Sequence, residues 1–185
     1  MVPLANKPMM HHIVDLLVRH GVSDVVSVLY FQPEHITSYF GDGHGFGVNM
    51  RYITAEADFG TAGSVKNAQE LLKERFIIIS GDVLTDFDLS AAIRFHEERG
   101  AMATIVLTRV EQPLQYGIVM TGADGRITRF LEKPAWGEVF SDTINTGIYI
   151  LEPEVLDLIP GKTEFDFSKD LFPRMLQREL PLFGY

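Results

Sequence analysis

Asp82 is the residue best placed to do chemistry. It follows the apolar run FIIIS (76–80) and Gly81. A carboxylate at the carboxyl end of a buried strand can hold Mg²⁺, which takes oxygen ligands and usually one or two protein carboxylates plus phosphates. Gly81 lets the backbone turn sharply or a ligand come close. The same Asp also suits a turn or a helix cap. In FGTAGSVKNA (59–68), Gly60 and Gly63 bracket a turn into a helix that Thr61 can cap, with Ala62 in its first turn. A helix start carries unpaired N–H groups and the positive end of the dipole, suited to a nucleotide or sugar oxygen. An ordinary capped helix would look the same. In FLEKP (130–134), Glu132 and Lys133 end a strand and so point to opposite faces. One could reach a sugar hydroxyl while the other pairs with a phosphate; the plain alternative is an exposed charge pair before Pro134. In NTGIYIL (145–151), Asn145 and Thr146 are polar at the start of a strong strand, and Gly147 leaves space beside it. In DFSKD (166–170), Asp166 suits a helix cap. Asp170 lies one turn on, and a second-metal role for it is not favoured. Asp86-Phe87-Asp88 has the DxD form of some glycosyltransferases but leads into a helix, so it reads as turn and cap.

These residues need a frame. Met9, Ile13, Leu16 and Leu17 have helical spacing, with Gly21 as the stop. Strands are predicted over 24–30, 48–54, 76–80, 103–108 and 143–151, and short helices over 33–40 and 61–73. Asp88 can cap a helix that carries Leu89, Ala92, Ile93 and His96 on one side. Residues 117–121 and 126–132 flank a turn-rich ADG and read as a hairpin. A last helix over 167–178 must begin near Pro173 or kink there. The continuous apolar run at 76–80 suggests a central strand buried on both sides. Alternating strands and helices in the first half imply βαβ units and a parallel sheet, which the hairpin makes mixed. The fold class is α/β, in one domain spanning 1–185. Ligands in such folds sit beyond the carboxyl ends of strands, which points to the loops after Thr54, Ser80 and Glu132.

Composition narrows the function classes. The chain has 185 residues, 46% hydrophobic and 22% charged, which are globular proportions. A formal net charge of -9 argues against nucleic acid as a partner. It leaves nucleotide ligands open, because a few local cations and N–H groups can hold phosphates. With no cysteine, disulfides and thiolate chemistry are excluded. His11 and His12 are adjacent and cannot share a metal as an i, i+4 pair would. No apolar run reaches about 18 residues, and the first ten residues lack a signal peptide's apolar stretch, so no membrane partner and a cytoplasmic location are expected.

The order of the motifs is more specific than any one of them. EADFGTAGSVKNA, ISGDVLTDFDL, YGIV, FLEKP, NTGIYIL and DFSKDLFP follow one another along the chain. In that order they resemble sugar-nucleotide pyrophosphorylases, and most of all mannose-1-phosphate guanylyltransferases and their glucose-1-phosphate thymidylyl- and uridylyltransferase relatives. The resemblance implies a Rossmann-like nucleotide-diphospho-sugar transferase fold with a mixed, mainly parallel sheet between helices. It implies attack of a sugar 1-phosphate on the α-phosphorus of an NTP, with Mg²⁺ as cofactor and pyrophosphate as leaving group. GTP with mannose 1-phosphate is favoured, then glucose 1-phosphate with dTTP or UTP. By the same resemblance Asp82 is the metal ligand and, with Lys133, catalytic. Gly60, Thr61, Ala62, Gly81 and Asp82 face the nucleotide. Tyr116, Gly117, Glu132, Lys133, Asn145, Thr146 and Gly147 face the sugar phosphate, and Lys7 is a further phosphate neighbour. Members of the family begin with a strand and a GGxGTRLxPLT loop and continue into WxDxG, so the chain is expected to be incomplete at both ends. Asp58–Phe59 replaces the usual Pro–Leu pair before GTAG. A sugar-nucleotide-binding regulatory module is the alternative reading, and a homo-oligomer is open.

Overall fold

The structure is a computed structural model that describes residues 3–185. A two-residue ribbon, β1 (Pro3–Leu4) with β2 (Lys7–Pro8), precedes α1 (Met9–Arg19). The helix buries Ile13, Val14, Leu16 and Leu17, as their spacing dictates. β3 (Asp24–Leu29), α2 (Glu34–Phe40) and β4 (Asn49–Thr54) form a βαβ unit whose strands pair in parallel.

The second part begins with α3 (Gly60–Lys66) and β5 (Phe76–Ile79). α4 (Leu89–Arg99) leads to β6 (Ala103–Arg109), then to the hairpin of β7 (Gly117–Thr121) and β8 (Ile127–Glu132). β9 (Thr143–Leu151) follows. A π-helical turn (Phe167–Leu171) runs into α5 (Phe172–Gln177), and β10 (Leu182–Gly184) closes the sheet edge beside β6 in parallel. Pro173 is tolerated because it falls in the first turn of α5, just past the widened π turn.

The sheet is mixed, and β9 makes it so. It runs antiparallel to β6 along one edge, and on the other edge to β5 and, at Ile144, to β7. Side chains alternate across it. Tyr149 and Leu151 pack under α3, the π turn and α5, whereas Ile148 and Ile150 pack under α1 and α4. β5 alternates in the same way, Phe76 and Ile78 to one side and Ile77 and Ile79 to the other. The expectation of burial on both faces therefore holds, but β5 is not paired on both edges. Its only strand partner among the described residues is β9. Its free edge and β3 line one cavity of about 1330 Å³, together with α1 and α3. That opening leaves β5 only partly buried.

His96, on the inner face of α4, is fully buried and fully partnered. Its Nδ1 meets the buried Thr104 hydroxyl at 2.8 Å, and its Nε2 lies 3.1 Å from Glu152 Oε1. An ionised carboxylate only accepts, so Nε2 carries the proton and Thr104 donates to Nδ1. Arg75 Nε donates to the same Glu152 oxygen at 2.6 Å. Burial holds the His96 pKa below its ordinary value. For Glu152, burial pushes upward, but hydrogen bonds from Arg75 and His96 outweigh it and the pKa is lowered.

Candidate active site

Asp82 sits just beyond the tip of β5 and is exposed. No ion pair or side-chain hydrogen bond engages it among the described residues, and it lines the large cavity with Gly60, Thr61, Ser80, Asp166 and Ser168. Asp88, by contrast, caps α4 by accepting from Ala91 N at 2.9 Å, which accounts for the second carboxylate of Asp86-Phe87-Asp88.

The start of α3 departs from expectation. Most of its N–H groups are not open to a ligand, because Ala62 N and Gly63 N both donate to Phe165 O at 2.9 Å. Gly60 N donates to Asp58 Oδ1 at 3.0 Å. Ala62 is completely buried. The glycines serve this contact: a Cβ on Gly60 would lie 2.9 Å from Phe165 O, and one on Gly63 would lie 2.6 Å from Thr163 O. The segment 163–167 thus packs on the end of α3, and Thr61 is the exposed polar residue left there. Its hydroxyl donates to Asp166 Oδ2 at 2.8 Å and accepts from Phe167 N at 3.1 Å. Asp166 also caps the π turn as expected, its Oδ1 accepting from Ser168 N and Lys169 N at 2.8 and 3.0 Å.

Glu132 and Lys133 do not alternate as two strand residues would. β8 ends at Glu132, and Lys133 has φ +46. A bulky residue in the left-handed region is strained, and here Lys133 N bonds Tyr116 O at 3.1 Å, holding the turn. The Lys133 side chain is exposed and without an ion pair among the described residues. Glu132 is half-buried, and its pKa is raised by burial and then by Asp166. Its carboxylate lies against Gly117, where a Cβ would be 2.6 Å from Oε2. Tyr116 next to it is exposed.

β9 brings the last three residues in. Asn145 Nδ2 donates to Tyr149 Oη and to Ser168 Oγ, both at 3.0 Å, and its Oδ1 accepts from Gly147 N at 2.9 Å. Both amide protons are engaged, so only Oδ1 retains a lone pair for a ligand. Burial pushes the Tyr149 hydroxyl up to about 12. Thr146 turns away to the neighbouring strand, donating to Val106 O at 2.7 Å across the irregularity in β6. Gly147 has φ +79 and lies against Ser80, whose N–H bonds Gly147 O at 3.3 Å. That contact ties β9 to the loop carrying Gly81 and Asp82. Lys7 stands apart, ion-paired to Asp15 at 3.0 Å.

The arrangement is therefore two groups joined by the π turn. Thr61 and Asp82 share the cavity; Glu132, Gly117 and Asn145 gather beside it; Asp166 and Ser168 lie between. Ser168 was not singled out from sequence. The only signal for it was its place two residues after the capping Asp166.

Known proteins align along the whole chain. The sequence model of the nucleotidyl transferase family matches residues 1–184. A UTP–glucose-1-phosphate uridylyltransferase of Synechocystis is 41% identical, covering 100% of this chain and 51% of its own length. Mannose-1-phosphate guanyltransferases of Yarrowia lipolytica and guanylyltransferases of Mycobacterium tuberculosis are 36% and 32% identical, covering 97% and 100% of this chain and 50% and 52% of theirs. The chain thus spans about half the length of the curated relatives it matches. The crystal structure of HddC from Yersinia pseudotuberculosis complexed with GMP-PN superposes with a TM-score of 0.82 at 22% identity, over 100% of this chain and 79% of that one. That likeness supports the fold: a Rossmann-like, mixed α/β architecture. With its motifs in order and its residues matched almost end to end, the chain belongs to the nucleotidyl transferase family.

Proposed function

We propose that this chain carries the substrate site of a sugar-1-phosphate nucleotidyltransferase, making an NDP-sugar and pyrophosphate from an NTP and a sugar 1-phosphate. One observation carries the reading: an exposed, unpaired carboxylate, Asp82, at the tip of β5, sharing its cavity with Thr61 and the π turn beside Glu132. Among the described residues no three His, Asp or Glu side chains could enclose a metal. A single free carboxylate instead fits Mg²⁺, which keeps waters and takes phosphate oxygens. When bound there, Mg²⁺ would neutralise phosphate charge. Asp82 would hold it, and Gly81 leaves the approach open.

The chain's own residues bind and orient. Glu132 would accept hydrogen bonds from sugar hydroxyls, and Tyr116 would flank the sugar. Lys133, held out of the strand by its left-handed backbone, would meet the sugar phosphate. A phosphate oxygen of that sugar then attacks the α-phosphorus, the bond to the bridging oxygen breaks, and pyrophosphate leaves. Positioning and charge neutralisation supply the rate. Thr61 marks the nucleotide side, with Gly60 and Ala62 supporting it from within the packed start of α3. No helix among the described residues is long and apolar enough to cross a membrane.

Mannose 1-phosphate with GTP, the pairing favoured from sequence, stands beside glucose 1-phosphate with UTP, which the name of the 41% identical relative supports. Both pairs belong in the test: pyrophosphate release with Mg²⁺ by the protein and by Asp82→Asn. With both proteins assayed at full length, turnover in the native protein and a loss of at least about a hundredfold in the variant are expected. Binding without turnover of either pair would make it a regulatory module instead, and an Asp82→Asn protein with full activity would remove Asp82 from the metal site.

A further inference from the structure

Ser168 stands at the junction of the two halves of the site, and no step above uses it. Its Oγ accepts from Asn145 Nδ2 at 3.0 Å. A hydroxyl has one proton and two lone pairs; Asn145 Nδ2 can only donate, so it occupies a lone pair and leaves the Ser168 proton to be given. The other Asn145 proton goes to the Tyr149 oxygen at 3.0 Å. The half-buried Glu132 carboxylate lies on the same side, and Ser168 acts to lower its pKa against the burial that raises it. Asn145 and Glu132 are both residues of the sugar side.

Ser168 is itself held. Its N–H donates to Asp166 Oδ1 at 2.8 Å, and the other Asp166 oxygen accepts from Thr61 at 2.8 Å. Thr61 in turn accepts from Phe167 N at 3.1 Å. The π turn presents consecutive N–H groups to this pair. A short chain of hydrogen bonds therefore runs from the end of α3, through Asp166 and Ser168, to Asn145.

We infer that Ser168 is a positioning residue for the sugar 1-phosphate: its hydroxyl locks the Asn145 amide on the sugar side, from an anchor on Thr61 and Asp166. The inference rests on the nucleotidyltransferase reading above. It separates from a structural role because a packing defect weakens both substrates, whereas loss of this hydroxyl acts on the sugar alone.

The test uses Ser168→Ala and Ser168→Thr, with calorimetric binding of mannose 1-phosphate and glucose 1-phosphate, and steady-state kinetics with GTP and UTP. Ser168→Ala is expected to raise the sugar 1-phosphate Kd and KM about tenfold and leave the NTP KM within about twofold. Ser168→Thr, which keeps the hydroxyl, restores most of the loss. Should the alanine variant not fold, Ser168→Cys keeps the volume with a weak hydrogen-bonding group and is read by the same constants. Native protein that binds neither sugar 1-phosphate overturns the functional reading, and this inference with it. Native binding that Ser168→Ala leaves unchanged, or a parallel rise in both KM values, overturns the inference alone.

Discussion

Gly117→Ala probes the sugar side directly. A Cβ there would lie 2.6 Å from Glu132 Oε2 and 2.8 Å from Phe130 Cζ. Carbon contacts are comfortable at about 3.5–4.0 Å, so something must move. The backbone cannot retreat easily, because Gly117 is paired with Glu132 and Ile118 with Leu131 across the hairpin. The freer of the two obstacles is the Glu132 side chain, which must swing away from its place beside Ser168. A hydrogen bond to a charged group contributes about 1.5–3 kcal/mol, which converts to a loss of roughly 10–150-fold in kcat/KM for the sugar 1-phosphate. Overpacking costs a further ~1–3 kcal/mol of stability, or about 2–12 °C in Tm for a chain of this size. The assay varies sugar 1-phosphate at saturating NTP and then NTP at saturating sugar 1-phosphate, with Tm measured alongside. Only the first series should move strongly. A folded Gly117→Ala protein with native sugar 1-phosphate kinetics would show that Glu132 does not act from the position described.

Two further expectations concern stability. Thr104→Val keeps the shape of a fully buried side chain but removes the proton that His96 Nδ1 accepts; the orphaned nitrogen costs about 1–3 kcal/mol, so Tm should fall by about 2–12 °C, and a shift under about 1 °C would count against the network. In urea titrations from pH 7 to pH 4, the midpoint should fall, because His96 and Glu152 both have lowered pKa values in the fold. Groups with depressed values contribute stability above their unfolded pKa and lose it as pH falls through the folded one. Glu132, with its raised value, works the other way, contributing below its ordinary pKa and losing that contribution as pH rises. Glu152→Gln should flatten the acid slope; an unchanged slope would assign it to other carboxylates.

Local pattern carried most of the elements. Ile13, Leu16 and Leu17 announce α1 by spacing, and Asp88 and Asp166 cap the elements that follow them, because such preferences act within a few residues. Pro173 leaves open a start or a kink, and the structure takes the start, with α5 beginning at Phe172. Long-range features were not legible. The two glycines around Thr61 read as a turn into a helix start open to a nucleotide or sugar oxygen, yet they make room for the backbone of Thr163 and Phe165, about a hundred residues on. Lys133 looked like an alternating strand residue, and nothing local marks its left-handed backbone. The polarity of Asn145 and Thr146 says nothing of where their donors go, and in the structure Tyr149, Ser168 and Val106 accept from them. That β9 would be the shared partner of three strands is a property of topology, which pairwise spacing does not encode.

The pairing of β9 has a consequence during synthesis. Among the described residues β6 pairs only with β9 and β10. It is made before either partner leaves the ribosome. At about 5–20 residues per second, the stretch from Ala103 to Leu151 occupies roughly 2–10 s. Through that interval the nascent chain holds an apolar strand with nothing to zip onto, a state in which chaperones act and stray edge-to-edge pairing begins. A ribosome that stalls before Leu151 would release a polypeptide unable to close its main sheet.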